Sequence, residues 1–147
     1  MSRIKEAMER VRGYLDEMGI KYIVDEEHNA IIAPYEIRGR DFLVVVLFSE
    51  NWVLTAAKIV GLNELPPELD REKFFARLLM DTFYLNEITY GLTKDGLIVA
   101  HAESHVDALS FENFKVEFFS VVAGIAHFID EIEKELPVKA RGGPLYA

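Results

Sequence analysis

The stretch that most constrains this chain is Phe42-Leu43-Val44-Val45-Val46-Leu47-Phe48. Its centre is β-branched, and it is too short for a helix to be the natural reading. Polar residues close it off on both sides, Arg38-Gly39-Arg40-Asp41 before and Ser49-Glu50-Asn51 after. The pattern predicts a strand buried on both faces. Each such side chain gains about 1.5–3 kcal/mol on leaving water, so the fold around it must cover two faces. At 147 residues, half of them hydrophobic, the chain suits one domain whose core needs no metal or disulfide staple.

The flanking sequence supplies a meander, a hairpin and three helices. Ile4, Ala7, Met8, Val11, Tyr14, Leu15 and Met18 form one apolar stripe, predicting a helix from about Arg3 to Met18 that Gly19 closes. Strands are expected at Lys21–Asp25, Ala30–Ile37, the buried stretch and Trp52–Val60, with turns at Glu26-Glu27-His28-Asn29 and at Gly39. Lys58 among apolar neighbours suits an edge or a strand end. Gly61-Leu62-Asn63-Glu64-Leu65-Pro66-Pro67 breaks the sheet. A helix then runs from near Glu68 or Asp70 to about Tyr84. Its stripe of Phe74, Phe75, Leu78, Leu79, Phe83 and Leu85 is wider than one contact needs, so Phe74, Phe75 and Leu79 are expected at a dimer or partner surface.

In the hairpin Asn86–Glu103 a two-residue Asp95-Gly96 turn would pair Leu92 with Val99, Tyr90 with His101 and Ile88 with Glu103. A three-residue Lys94-Asp95-Gly96 loop with a glycine bulge pairs Leu92 with Ile98, Tyr90 with Ala100 and Ile88 with Ala102. The second register makes one face wholly apolar and is the one expected. The last helix starts near Ser110 and stops before Pro137, its apolar side running from Phe111 to Leu136. The fold class is therefore α+β: an antiparallel sheet, four-strand meander plus hairpin, covered by three helices in the order αββββαββα. Residues 1–137 form the domain, and 138–147, with Gly142-Gly143-Pro144, form a tail expected to be mobile.

A net charge of −9 disfavours nucleic acid and favours solubility and cationic partners. No apolar run approaches a membrane span, and the charged N-terminus does not read as a signal peptide, so a cytoplasmic location is the simplest expectation. Without cysteine there is no disulfide framework, thiolate site or cysteine nucleophile. Phosphate loop, dinucleotide fingerprint, nucleophile elbow and paired-histidine zinc helix are all missing, and no cofactor is implied. One constellation could carry chemistry. Strand alternation puts His101, Glu103 and His105 on one face, and the bulged register sets Glu87 opposite Glu103. Two imidazoles and two carboxylates suit zinc, manganese or iron, although a solvated outer strand has the same appearance. His127 reads as a packed or surface histidine, and Arg38 and Arg40 as turn residues able to hold an anion.

Leu65-Pro66, a helix holding Leu78-Leu79, then Leu85-Asn86, Lys94-Asp95-Gly96, Leu97-Ile98-Val99-Ala100-His101-Ala102-Glu103 and a long apolar-striped helix together resemble the YbjN-like family. That family shares the fold of type III secretion chaperones. The resemblance is closest from Leu65 to Leu136 and looser before it, and His101, His105 and the glycine-rich tail depart from it. It implies a small, acidic, commonly homodimeric protein without a catalytic site, binding extended segments of other proteins on apolar patches. The expected function is a non-enzymatic homodimeric protein-binding module. The alternative is a small metal-dependent enzyme or metal sensor on the His101/Glu103/His105 face.

Overall fold

The computed structural model describes residues 2–147. Helix α1 (Arg3–Met18) starts at Ser2, whose hydroxyl accepts from the Lys5 N–H, and ends at Gly19 in the left-handed conformation, φ 71°. Strands β1 (Ile23–Asp25), β2 (Ala30–Ile37), β3 (Arg40–Phe48) and β4 (Trp52–Gly61) follow. Then come α2 (Arg71–Tyr84, capped by Asp70), β5 (Tyr90–Leu92), β6 (Leu97–His105) and α3 (Phe111–His127, capped by Ser110). The strands form one six-stranded antiparallel sheet in the order β1-β2-β3-β4-β6-β5. This is the α+β class and the element order that the sequence pattern predicts. No helix among the described residues is long and apolar enough to cross a membrane.

The β5–β6 hairpin takes the bulged register, with Leu92 opposite Ile98 and Tyr90 opposite Ala100. It is shorter than expected. The His101 N–H still donates to the Thr89 carbonyl at 3.0 Å. Glu87, however, is left-handed, φ 66°, and turns the chain out of the ladder before Ile88 can pair with Ala102. The outward Tyr90 N–H donates to Thr82 Oγ1 at 2.9 Å, tying β5 to α2. The β2–β3 turn is a two-residue one, Arg38-Gly39, with φ of 54° and 78°. Such turns favour Asn-Gly. Here the left-handed Arg38 is held from outside by Asp130, which accepts from Nε at 3.0 Å and Nη2 at 2.9 Å.

All three helices lie on one face of the sheet. Phe42, Val44, Val46 and Phe48 of β3 join Val11 and Leu15 of α1, Phe74 of α2 and Phe114, Phe118 and Ile125 of α3 in a single core. The other face of β3 has no helical cover. Leu43 and Leu47 are half-buried there, while Val45 at the centre is only 1% exposed.

Beyond His127 the third helix widens into a π turn, Phe128–Ile132, and closes with Glu133–Glu135. Phe128 and Ile132 stay fully buried while Asp130 and Glu133 face the start of β3. Arg40 grips Glu133 with two parallel bonds, Nη1 at 2.6 Å and Nη2 at 2.8 Å. Glu133 also accepts the Ala140 N–H at 2.6 Å, and Arg40 donates to the Ala140 carbonyl at 3.2 Å.

That node sets the path of residues 138–147. Val138 and Ala140 are buried against the core. The β3–β4 ladder ends at Val44–Ala57, and beyond it the strands part. Arg141 and Gly142 enter the gap, both donating their N–H to the Ile59 carbonyl, at 2.7 and 3.0 Å. Gly142 has φ 70°, and a Cβ there would lie 2.7 Å from the Asp41 carbonyl oxygen, so only glycine fits.

Burial pushes the Glu133 carboxyl up, but the Arg40 bonds and the Ala140 N–H outweigh it and hold the group below the usual carboxylate range. A lowered folded-state pKa contributes stability above the unfolded value, and that contribution is lost as pH falls through the folded one. Glu133→Gln is therefore expected to cost about 2 kcal/mol at neutral pH. Urea denaturation should show the gap from wild type closing in acid, below about pH 4.

Candidate functional site

The histidine–glutamate constellation is only partly assembled. His101, Glu103 and His105 alternate on the helix-free face of β6, opposite Ala56, Leu54 and Trp52 of β4. His101 Nδ1 and Glu103 Oε2 are 2.8 Å apart, with the His101 ring lying over Gly91, where a Cβ would come within 2.9 Å of Nε2. His105 is engaged elsewhere. Its Nδ1 accepts the Asp107 N–H at 3.1 Å, capping a short 3₁₀ turn, and its ring meets Trp52 edge-on at 5.4 Å. Glu87, at φ 66°, sits in the turn after α2 and not across from Glu103, because β5 begins only at Tyr90. Among the described residues no three His, Asp or Glu side chains converge as a metal would require.

Other polar groups are bound into the architecture. His127 Nε2 lies 2.8 Å from Asp81 Oδ2, which also accepts from Arg77 Nε at 2.9 Å, and Arg77 pairs with Glu135 as well. This chain ties α2 to the end of the third helix. Tyr90 donates its hydroxyl to the Gly124 carbonyl at 2.6 Å, and burial pushes its pKa well up. A concavity of about 390 Å³ between the Pro66 loop and residues 136–141 is lined by Glu64, Glu133 and Arg141, which already hold ion-pair partners.

The unsatisfied surface is apolar. Leu79, Met80, Phe83 and Tyr84 of α2 are 70%, 52%, 80% and 76% exposed, and Leu92 of β5 is 57% exposed. A groove of about 210 Å³ runs beside them, lined by Phe75, Leu78, Leu79, Tyr90, Leu92 and Ile98 with hardly a polar atom. Its floor is the edge strand β5, whose outer backbone groups are unpaired in the sheet. Of the three residues expected at a partner surface, Leu79 lies here and Phe75 lines the groove. Phe74 does not: it is fully buried, its ring edge-on to Phe128 at 6.0 Å. The three- and four-residue steps that place Leu78 with Phe74 turn both inward, leaving Leu79 and Phe83 outside. Met80, Tyr84 and Leu92 were not singled out by sequence, although Met80 and Tyr84 flank the stripe by one position.

The same fold occurs in solved structures. An uncharacterized protein from Methanothermobacter thermautotrophicus superposes with a TM-score of 0.61 at 16% identity, covering 87% of this chain and 97% of that one. A chain of the ExsC–ExsE complex gives 0.54 at 12% identity, over 87% of this chain and 94% of its own. A chain of the heterodimeric ExoU–SpcU complex from the type III secretion system of Pseudomonas aeruginosa gives 0.53 at 13%, over 78% and 91%. At these identities the likeness shows a shared fold. No family model and no curated protein matches the sequence.

Burial separates the two sides of α2 in a measurable way. Phe74→Ala should cost about 3–5 kcal/mol of stability. Phe83→Ser on the exposed side should leave the chain folded, with an unchanged far-UV circular dichroism spectrum.

Proposed function

We propose that this protein is a non-enzymatic, homodimeric protein-binding module of chaperone-like character, joined to its second copy through the α2–β5 face. The observation that carries the reading is the exposed apolar set Leu79, Met80, Phe83, Tyr84 and Leu92 beside an apolar groove. Five such side chains leave on the order of 600 Å² of apolar surface in water, more than a monomer ordinarily tolerates in one place. A standard interface takes roughly 800 Å² from each partner, so a second copy with the same patch is sufficient cover. A helix flanking an edge strand also suits a two-fold axis, because the same residues then meet their own equivalents.

Two features support binding of other proteins. The fold is shared with chains found in the ExsC–ExsE and ExoU–SpcU complexes. The sequence pattern also resembles the YbjN-like family and, through it, the type III secretion chaperones, which hold extended segments without catalysis. The charge of −9 adds a preference for basic partners.

Sedimentation velocity tests the dimer directly. Wild type is expected as a dimer, and Leu79→Asp or Phe83→Asp as a folded monomer. A wild-type chain that stays monomeric at high protein concentration would overturn the reading. Affinity purification from source-cell lysate tests the binding role: one dominant partner retained at high salt is expected, whereas many weak partners lost at high salt would mean only acidic stickiness.

A further inference from the structure

Residues 141–147 lie on the sheet face that has no helix. Lys58 alternates with the core residue Ala57, and Asp25 with Val24 of the helix side, so both point to the opposite face. Gly143 packs against Lys58, where a Cβ would stand 3.4 Å from Nζ. Three residues on, the Tyr146 hydroxyl donates to Asp25 Oδ2 at 2.6 Å, and its ring lies 4.3 Å from that of His28. The chain thus passes from β4 to β1 over a face carrying Ile23, Ile32, Leu43, Val45, Leu47 and Leu54.

The segment has two parts of different character. Its base is anchored: Val138, Ala140 and Gly142 are buried, and the Arg40–Glu133 pair and the Ile59 carbonyl hold the backbone. Past the consecutive left-handed glycines Gly142 and Gly143, φ 70° and 111°, the contacts thin out. Gly143, Leu145 and Tyr146 are half-buried, Pro144 and Ala147 are exposed, and Ile23 and Trp52 on the same face remain 62% and 50% exposed. An anchored base keeps the free end at an effective concentration near millimolar, so weak contacts suffice to seat it and a competitor must overcome that concentration.

We propose that residues 143–147 are a strap that occupies, within its own chain, a docking face for an extended segment of another protein with similar chemistry: a flexible glycine step, apolar residues and a tyrosine whose hydroxyl reaches Asp25. The glycine pair is the hinge. The strap rests on its own contacts; the use of the vacated face by another protein rests on the protein-binding reading. The Asp25–Tyr146 bond is matched by protonation behaviour, since the Tyr146 hydroxyl holds the Asp25 carboxyl below its usual range while burial beside it pushes the phenol up to about 12.

The test titrates a synthetic peptide of residues 141–147 into full-length, ¹⁵N-labelled protein and follows the amide signals of Ile23, Asp25 and His28. Gly142→Val should unseat the strap, because any Cβ there meets the Asp41 carbonyl. Tyr146→Ala, which leaves Gly142 intact, is the second variant should the first fail to fold. The peptide is expected to shift those signals in either variant at about tenfold lower concentration than in wild type. Equal response in wild type and variants would mean that the strap does not occupy the face. No response in any chain, or shifts confined to other residues, would mean that the face does not take such a segment. Each of these results overturns the proposal and leaves the dimer, decided by sedimentation, untouched.

Discussion

The structure depends on a strand that is apolar on both faces. With Phe42, Val44, Val46 and Phe48 on one side and Leu43, Val45 and Leu47 on the other, β3 gains most by sitting inside a sheet, between β2 and β4. A meander places its sequence neighbours on either side, and the helices then have one face to cover. They cover it completely. Phe42, Phe74, Phe114, Phe118 and Phe128 are all fully buried there, Phe74 edge-on to Phe128 and Phe114 tilted against Phe118, each pair 6.0 Å apart.

Covering one face with three helices leaves two surfaces unequal to the rest. The first is the outer side of α2, which lies at the β5 end of the sheet and turns Leu79 and Phe83 to solvent. The second is the helix-free face, where residues 143–147 stand in for a layer. That segment reaches the face through the gap where β3 and β4 part beyond Val44–Ala57. The Arg40–Glu133 pair joins these events. It ties the start of β3 to the end of the third helix and to the backbone of Ala140, so one buried ion pair positions the last turn of the core and the path of the tail together.

Several histidines and a buried tyrosine are committed to structure. His127 and Asp81 fasten α2 to the third helix through Arg77, and His105 caps a turn. Tyr90 closes on the carbonyl of Gly124. The large exposed side chains of α2 and β5 are apolar, set in an acidic exterior.

Local information determined much of this. The stripe from Ile4 to Met18 with Gly19 after it, Ser110 before the last helix, and the alternation around Lys94-Asp95-Gly96 each act within a few residues, and the structure follows them closely. The unusual width of the α2 stripe was also legible. The sequence by itself could not divide that stripe, because whether Phe74 or Leu79 faces the core depends on where α2 docks, and α2 docks where Phe128 leaves room. It could not place Glu87, since the turn from α2 into β5 puts that residue in the left-handed conformation, φ 66°, before the strand begins. Nor could it foresee the tail. Glycine and proline at a chain end read as freedom when no partner is in view. Only the tertiary structure brings Glu133, Ile59 and Asp25 to meet that backbone, and those contacts join residues that lie up to 121 positions apart.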